Sequence, residues 1–298
     1  MTMMLNDRAL LVSLSISQWT ARKLDKKATK DVADINRAST SAGRYNKSLL
    51  PLNDLLANVH QQTGLIREKF AKNTLPWGID GTRILPSANY LPFMQDFRKE
   101  KGEWQYLVQN FLDNYDTLVD EAKRWLGDLY DEKDYPARDK IVEKFNMDMA
   151  ILPVPTNDFR VELSSDELAR LQEEMEGRMA TVQQEAMMDA WGRLYKHVQH
   201  IAEKLADPKG IFRDSMVENA QETCDLLSRL NIADDPNLEA MRREVEAKLI
   251  SHHPDSLRND PDRDRDLARD RRPAVDLGGM GAGPRRPRRR DRRLDRQA

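Results

Sequence analysis

The sequence holds a single cysteine, Cys224, in 298 residues. One thiol cannot form an internal disulfide, so a disulfide scaffold is excluded and a reducing, cytoplasmic setting fits. Aromatic residues are scarce at 6%, and hydrophobic residues reach only 39% against 33% charged. Mean hydropathy is -0.75. No apolar run approaches the ~20 residues that a membrane span needs. The N-terminal stretch does not read as a secretory signal either. Asp7 and Arg8 cancel, Ser13, Ser15 and Ser17 interrupt the apolar residues, and no small-x-small cleavage site follows. With 13 glycines, the chain is far from the glycine content of a fibre. What remains is a chain of long, solvated helices.

Catalytic signatures are missing as well. There is no GxSxG elbow, no Walker loop and no dinucleotide fingerprint. Gly78-x-x-Gly81 lacks the Gly-Lys-Ser/Thr that a phosphate loop requires. His197-x-x-His200, with Glu203 nearby, has no cysteine cluster or HExxH pattern to complete a metal site. Cys224 falls on an inward helical position, where a thiol is inert. The sequence therefore predicts no cofactor and no metal, and favours a non-enzymatic protein over an enzyme working through its abundant carboxylates.

Charge is present in abundance and is unevenly placed. From Asp255 to the end there are 14 Arg, no Lys and 9 Asp, a net +5. Residues 1–254 carry 34 Lys+Arg against 41 Asp+Glu, a net -7. Such a split points to an interaction tail on an acidic body. The tail has almost no apolar content, so burial cannot offset its ordering entropy, and it reads as disordered. Its end, Arg285 to Arg296, holds eight Arg and two Asp. Arg285, Arg286, Arg288, Arg289, Arg290, Arg292 and Arg293 are the candidate nucleic-acid contacts, through counterion release at phosphates. An acidic protein surface would suit them too, and so would a purely solubilising role.

Along the body, periodicity sets the elements. Leu10, Val12, Leu14 and Ile16 alternate with Leu11 and three serines, a strand pattern. Trp19 with Arg22, Lys23, Lys26 and Lys27 could grip a nucleic-acid strand; a partly buried Trp beside a solvated lysine face is the plainer alternative. A helix follows through Leu49, Leu52, Leu56, Val59, Thr63, Ile66 and Phe70, with Pro51 in its first turn, ending near Asn73. Residues 74–92, rich in Pro and Gly, read as a compact loop with a short strand at Thr82–Leu85. Trp77, between Pro76 and Gly78, is the loop side chain best suited to a specific job; a buried Trp that plugs the end of a helix pair is the plainer alternative. An aromatic stripe from Phe93 through Phe97, Trp104, Val108, Phe111, Tyr115, Leu118, Ala122 and Trp125 to Leu129 steps three and four. It predicts a long helix over 93–130 with a thick seam.

Tyr135-Pro136 opens a short helix with Ile141, Val142 and Phe145 inward. Phe159, Val161 and Leu163 alternate and are expected to form a strand pairing with residues 10–17. Ser164 and Glu167 have capping-box spacing. The stripe from Leu168 to Leu205 then predicts a nearly straight helix over 165–206, packed beside 93–130. Two more helices carry Phe212 to Leu230 and Leu238 to Leu249. The fold class is mainly α: a long-helix bundle with a minor two- or three-stranded β element and a disordered C-terminal tail. The expected divisions are 1–163, 164–254 and 255–298.

Three stretches carry a resemblance: LLVSLSISQWTARKLDKKAT, GRYNKSLLP and TLPWGIDGTRILP. They resemble a family of uncharacterised proteins from tailed phages and integrative conjugative elements. In such elements the family is often encoded beside a MoxR-type AAA+ ATPase and a von Willebrand A-domain protein. The resemblance covers about residues 8–163 and implies an adaptor or scaffold with a protein partner. Trp19, Arg22, Lys23, Trp77 and Arg83 fall on these stretches and become candidate partner contacts. No membrane partner is expected, and the sequence permits oligomerisation.

Overall fold

The structure, a computed structural model, describes residues 5–78, 81–156, 164–206 and 214–250. The elements run α1 (Leu5–Arg8), β1 (Ala9–Ser17), β2 (Arg22–Leu24), α2 (Lys26–Ile35), β3 (Asn46–Ser48), α3 (Asp54–Asn73), β4 (Leu75–Pro76), β5 (Thr82–Pro86) and α4 (Ser87–Asp113). They continue with α5 (Tyr115–Leu126), α6 (Arg138–Val142), β6 (Asn146–Pro153), α7 (Ser165–Ala206), α8 (Asp214–Leu230) and α9 (Pro236–Val245). Short 3-10 turns at Gly127–Leu129 and Glu132–Asp134 join α5 to α6. The chain is mainly helical with a small antiparallel sheet, as the periodicity predicts.

That sheet organises the molecule. Its order is β4-β5-β1-β6, every pair antiparallel. Because side chains alternate along a strand, β1 feeds two cores. Val12, Leu14 and Ile16 face one core with Leu85, Met147 and Met149; Ala9 and Leu11 face the other with Leu75 and Ile84. Helices α3, α4 and α5 cover the first face, and α7, α8 and α9 cover the second. The expected strand pairing of residues 10–17 is filled differently. β5 takes one edge and β6 the other, with Val12 opposite Ile151 and Ile16 opposite Met147. Met147, Met149 and Ile151 alternate with Asp148, Ala150 and Leu152, a period-2 pattern hidden by its methionines. The stretch 159–163 expected for that role lies outside the described residues.

Helix α3 starts later than its stripe predicts. Asn53 is the N-cap and accepts from the Leu56 N–H at 3.0 Å. Leu49 and Leu50 are buried ahead of the helix, Pro51 lies outside it, and Leu52 is fully exposed. The helix stops as expected at Asn73, where Thr74 turns extended before Pro76. Residues 74–92 are not a loop. Their described residues form β4, β5 where the short strand at Thr82–Leu85 is expected, and the first turns of α4, with Gly78 and Gly81 both at positive φ. Pro92 sits inside α4, where it removes one hydrogen bond near the helix start without ending it.

The aromatic stripe is core from Phe93 to Ala122, but Asn114 splits it into α4 and α5. Beyond that break the seam runs off the sheet, and Trp125 is exposed. In α6, Ile141 is buried but Val142 is exposed, because the helix is only one turn long. Thr63 Oγ1 in α3 accepts from Trp104 Nε1 at 2.9 Å and sits 2.7 Å from Gln18 Oε1, tying α4, α3 and the chain after β1 together. The two long helices do not pack side by side. α4 lies along α3, and α7 lies along α8 on the other face of the sheet. Two segments that each need a wide apolar partner are better served by opposite faces of one sheet.

Helix α7 is capped as predicted, with Ser164 Oγ accepting from the Glu167 N–H at 3.4 Å. Its buried stripe begins only at Val182 and continues through Ala186, Ala190, Leu194 and Ile201. The expectations for 255–298, including the seven arginines named above, fall outside the described residues. Among the described residues, no helix is long and apolar enough to cross a membrane.

Candidate functional site

Between Ala21 and Leu49 the chain leaves the three-layer body and folds into a small lobe, β2–α2–β3. β2 and β3 pair antiparallel, Lys23 opposite Lys47. Asp25 is the N-cap of α2 and accepts from the Ala28 N–H at 2.9 Å. Thr29 Oγ1 donates to the Asp25 carbonyl at 2.6 Å and accepts from the Tyr45 N–H at 3.0 Å. The far end of α2 is a Schellman cap: Ala38 N–H donates to the Ala33 carbonyl and Arg37 N–H to that of Asp34. Arg37 occupies the left-handed position at φ 50°, where glycine is the usual residue.

Buried charge fastens the lobe to the body. Lys47 is only 6% exposed. Its ammonium reaches Asp134 Oδ2 at 2.7 Å, Asp25 Oδ2 at 3.2 Å and the Leu129 carbonyl at 2.6 Å. Three donors thus meet three acceptors. Lys23 donates to the other oxygen of Asp134. Burial opposes the charge on Lys47, but the two carboxylates outweigh it and its pKa is raised. Asp134 shows the mirror image: burial works against ionisation, Lys23 and Lys47 favour it, and its pKa is lowered. Tyr135 adds a hydrogen bond to the Leu49 carbonyl, and Tyr130 stacks on Tyr135 with ring centroids 5.1 Å apart.

The outer surface of the lobe mixes cations and apolar side chains. Arg22, Lys26, Lys27, Lys30, Arg37 and Arg44 are exposed and make no ion pair among the described residues. Val32 is 50% and Ile35 80% exposed, and Leu24 and Tyr45 of the same lobe are exposed as well. Ala28, Val32 and Ile35 are four and three apart, hence on one helix face. Only Ala33 of α2 is buried. The apolar stripe of α2 therefore looks outward, with Lys26, Lys27 and Lys30 and also Asp31 and Asp34 exposed along the same helix.

The candidate contacts named from sequence separate in space. Arg22 lies on the lobe. Lys23 is also there, but paired with Asp134. Trp19 turns inward, with ring centroids 6.2 Å from Phe111 and 5.7 Å from Tyr115, and its carbonyl accepts from His60 Nε2. Trp77 is buried in the core beneath α7. Arg83 caps α3, donating to Thr74 Oγ1 at 2.6 Å and to the Thr74 and Ala71 carbonyls. Burial, and then the neighbouring Arg193 guanidinium, lower the pKa of Arg83.

Sequence reasoning missed Asp25, Lys47, Asp134 and Arg193. The Asp-x-x-Ala spacing of an N-cap could have revealed Asp25. Nothing local marks Lys47 or Asp134, which are far apart in the chain. Elsewhere, Cys224 is buried and burial pushes its thiol up to about 11. His197 is half-buried, and burial, with Lys72 and His200 nearby, lowers its pKa. No group of three or more His, Cys, Asp or Glu among the described residues is placed to hold a metal ion. Comparison with family models, with curated proteins and with solved structures finds no match.

Proposed function

We propose that this protein is a non-enzymatic adaptor or scaffold, and that the β2–α2–β3 lobe is its partner-docking element. One observation supports this above the others: the lobe presents six cations and an outward apolar stripe while buried ion pairs hold it rigidly on the body. A rigid mixed surface suits a protein partner with acidic and apolar side chains, since charge steers the encounter and apolar burial supplies affinity. A complex containing a MoxR-type AAA+ ATPase is the partner class implied by the sequence resemblance. The setting is the cytoplasm, of the host if the gene belongs to a phage or mobile element. The test is co-purification of the full chain from its native host. Ile35→Asp with Lys30→Glu should abolish capture of the partner and leave the melting temperature within about 2 °C, as for other surface changes. Undiminished capture would remove the lobe from this role.

A second reading, sequence-nonspecific nucleic-acid binding, is favoured by the lobe's cations together with the eight arginines of Arg285–Arg296. With about six to eight phosphates engaged, the log–log salt slope on duplex DNA would be roughly -5 to -7. Replacing Arg288, Arg289 and Arg290 by Ala would flatten it by up to about three units. A complete lack of DNA binding at low salt would leave the adaptor reading alone.

A further inference from the structure

Helices α3 and α4 enclose a groove on their solvent side, with a volume of about 640 Å³. Leu65 and Leu107 give it an apolar floor, Glu68 and Glu103 supply carboxylates, and Asn58 and Gln61 supply amide oxygens. None of its lining residues is basic. Glu68 and Glu103 make no ion pair among the described residues, whereas Glu100 close by is satisfied by Lys69 and Gln62. Gly64 also lines the groove, and no atom lies within 4 Å of where its Cβ would stand. A glycine inside a helix is destabilising relative to alanine, and internal packing does not require this one. It leaves the groove flat enough for a backbone to approach closely.

This chemistry matches arginine better than lysine. A guanidinium fork can bridge a carboxylate and an amide oxygen while its stem lies on leucine. Tyr106 is exposed on α4 three positions after Glu103, at the rim rather than in the lining of the groove, where its ring face is open to cation–π contact. The chain carries such a ligand itself. Residues 255–298 hold 14 Arg and no Lys, and eight of the Arg lie within Arg285–Arg296. The remaining body is net -7, so attraction is general and the groove supplies the fit. Reach is sufficient. Arg285 follows Ile250 by about 35 residues, which as a coil gives a root-mean-square span of about 33 Å. Fully extended, the same stretch spans about 115 Å, enough to pass from the α9 side of the sheet to the α3–α4 side.

We propose that Arg285–Arg296 docks in the α3–α4 groove of its own chain, which shields the arginine run until a competing anion displaces it. The tether raises the effective concentration to the order of millimolar, so modest contacts suffice. This goes beyond the adaptor reading and is independent of what the lobe binds.

The test is cleavage of the full chain by an arginine-specific protease, following loss of the Arg285–Arg296 run. At about 10 mM salt, where screening is weak, Glu68→Lys with Glu103→Lys should speed that cleavage about fivefold or more. At about 0.5 M salt the parent and variant should be cut at the same rate. The control Asp166→Lys with Glu167→Lys, on α7, should leave the parent rate unchanged. Equal rates for parent and groove variant at low salt would overturn the proposal. So would equal acceleration by the α7 control, which would mean diffuse attraction to the body. Protection that grows with protein concentration would place the run in a second copy and also overturn it. Should the groove variant fail to fold, the parent alone decides: its cleavage must accelerate with salt while that of a free Pro284–Ala298 peptide does not.

Discussion

Arg83 and Arg193 converge on the same two carbonyl oxygens, those of Ala71 and Thr74, at the C-terminal end of α3. Arg83 comes from β5 and Arg193 from α7, 110 positions later. Arg193 also donates to the Lys72 carbonyl, and its ion pair with Asp189 offsets the repulsion between the two guanidiniums. The last carbonyls of a helix have no intrahelical partner and carry partial negative charge, so two cations are well placed there. The contact joins the helical layers across the sheet edge. Arg193→Ala should destabilise the protein by about 1.5–3 kcal/mol, the usual worth of hydrogen bonds to a charged group. Arg193→Lys should restore less than half, because a single ammonium lacks the planar fork whose separate nitrogens reach Asp189 and three carbonyls at once. Denaturant unfolding of the two variants measures both.

Trp77 closes the same junction. It is buried against the α7 core, while Gly78 next to it lies 3.7 Å from Glu185 and 4.0 Å from Val182 through the position of its missing Cβ. Trp77→Ala should cost about 3–5 kcal/mol. A thermal melt that matches the parent would show that the indole is not structural.

The buried charge at Lys47 sets a pH window. Asp134 and Asp25 have folded-state pKa values below 3.8, so their contribution is complete above that value and is lost as pH falls through the lowered pKa. Lys47 has a raised pKa, so its contribution is complete below 10.5 and is lost only as pH rises beyond it. Anchorage of the lobe should therefore be level between about pH 4 and pH 10 and fall away below it. Lys47→Met leaves Asp25 without its cation and Asp134 with Lys23 alone, and should cost about 3–5 kcal/mol. In that variant the acid limb should shrink without vanishing, since the Ala28 N–H still favours ionised Asp25 and Lys23 still favours ionised Asp134. Stability measured across pH for parent and variant checks the sign.

Arg37 holds a left-handed backbone that glycine would adopt more easily. Arg37→Gly should stabilise the protein by about 0.5–1 kcal/mol. If the lobe docks a partner, the same change should weaken capture, a gain in stability at the expense of function. An increase in melting temperature with no loss of capture would assign Arg37 no part in binding.

The sequence by itself determined what depends on local spacing. Helices with a single buried stripe, such as α3 and the first half of the aromatic stripe, were legible because residues three and four apart share a face. The Ser164 cap and the end of α3 at Asn73 were legible from short-range chemistry. Where a rule was overridden, tertiary contacts supplied the reason. The composition of residues 74–92 reads as a loop ahead of a helix from 93, but α4 begins six residues earlier, at Ser87, because β5 delivers the chain straight into it. β6 was hidden because methionine signals neither strand nor helix, and it became a strand only because β1 had an open edge to fill.

The functional surface was less legible still. For Trp19 and Trp77 the plainer expectation, packing, is what the structure shows, while Arg83, a candidate contact, caps α3. Lys47 stood out in no way, and it anchors the lobe. Its partners Asp25 and Asp134 lie 22 and 87 positions away, and one-dimensional spacing cannot express such a meeting. Composition fixed the charge of each part of the chain. Only the tertiary structure decided which charges are buried and mutually satisfied, as at Lys47, and which are left facing outward, as along α2, because burial depends on how the layers close around the sheet.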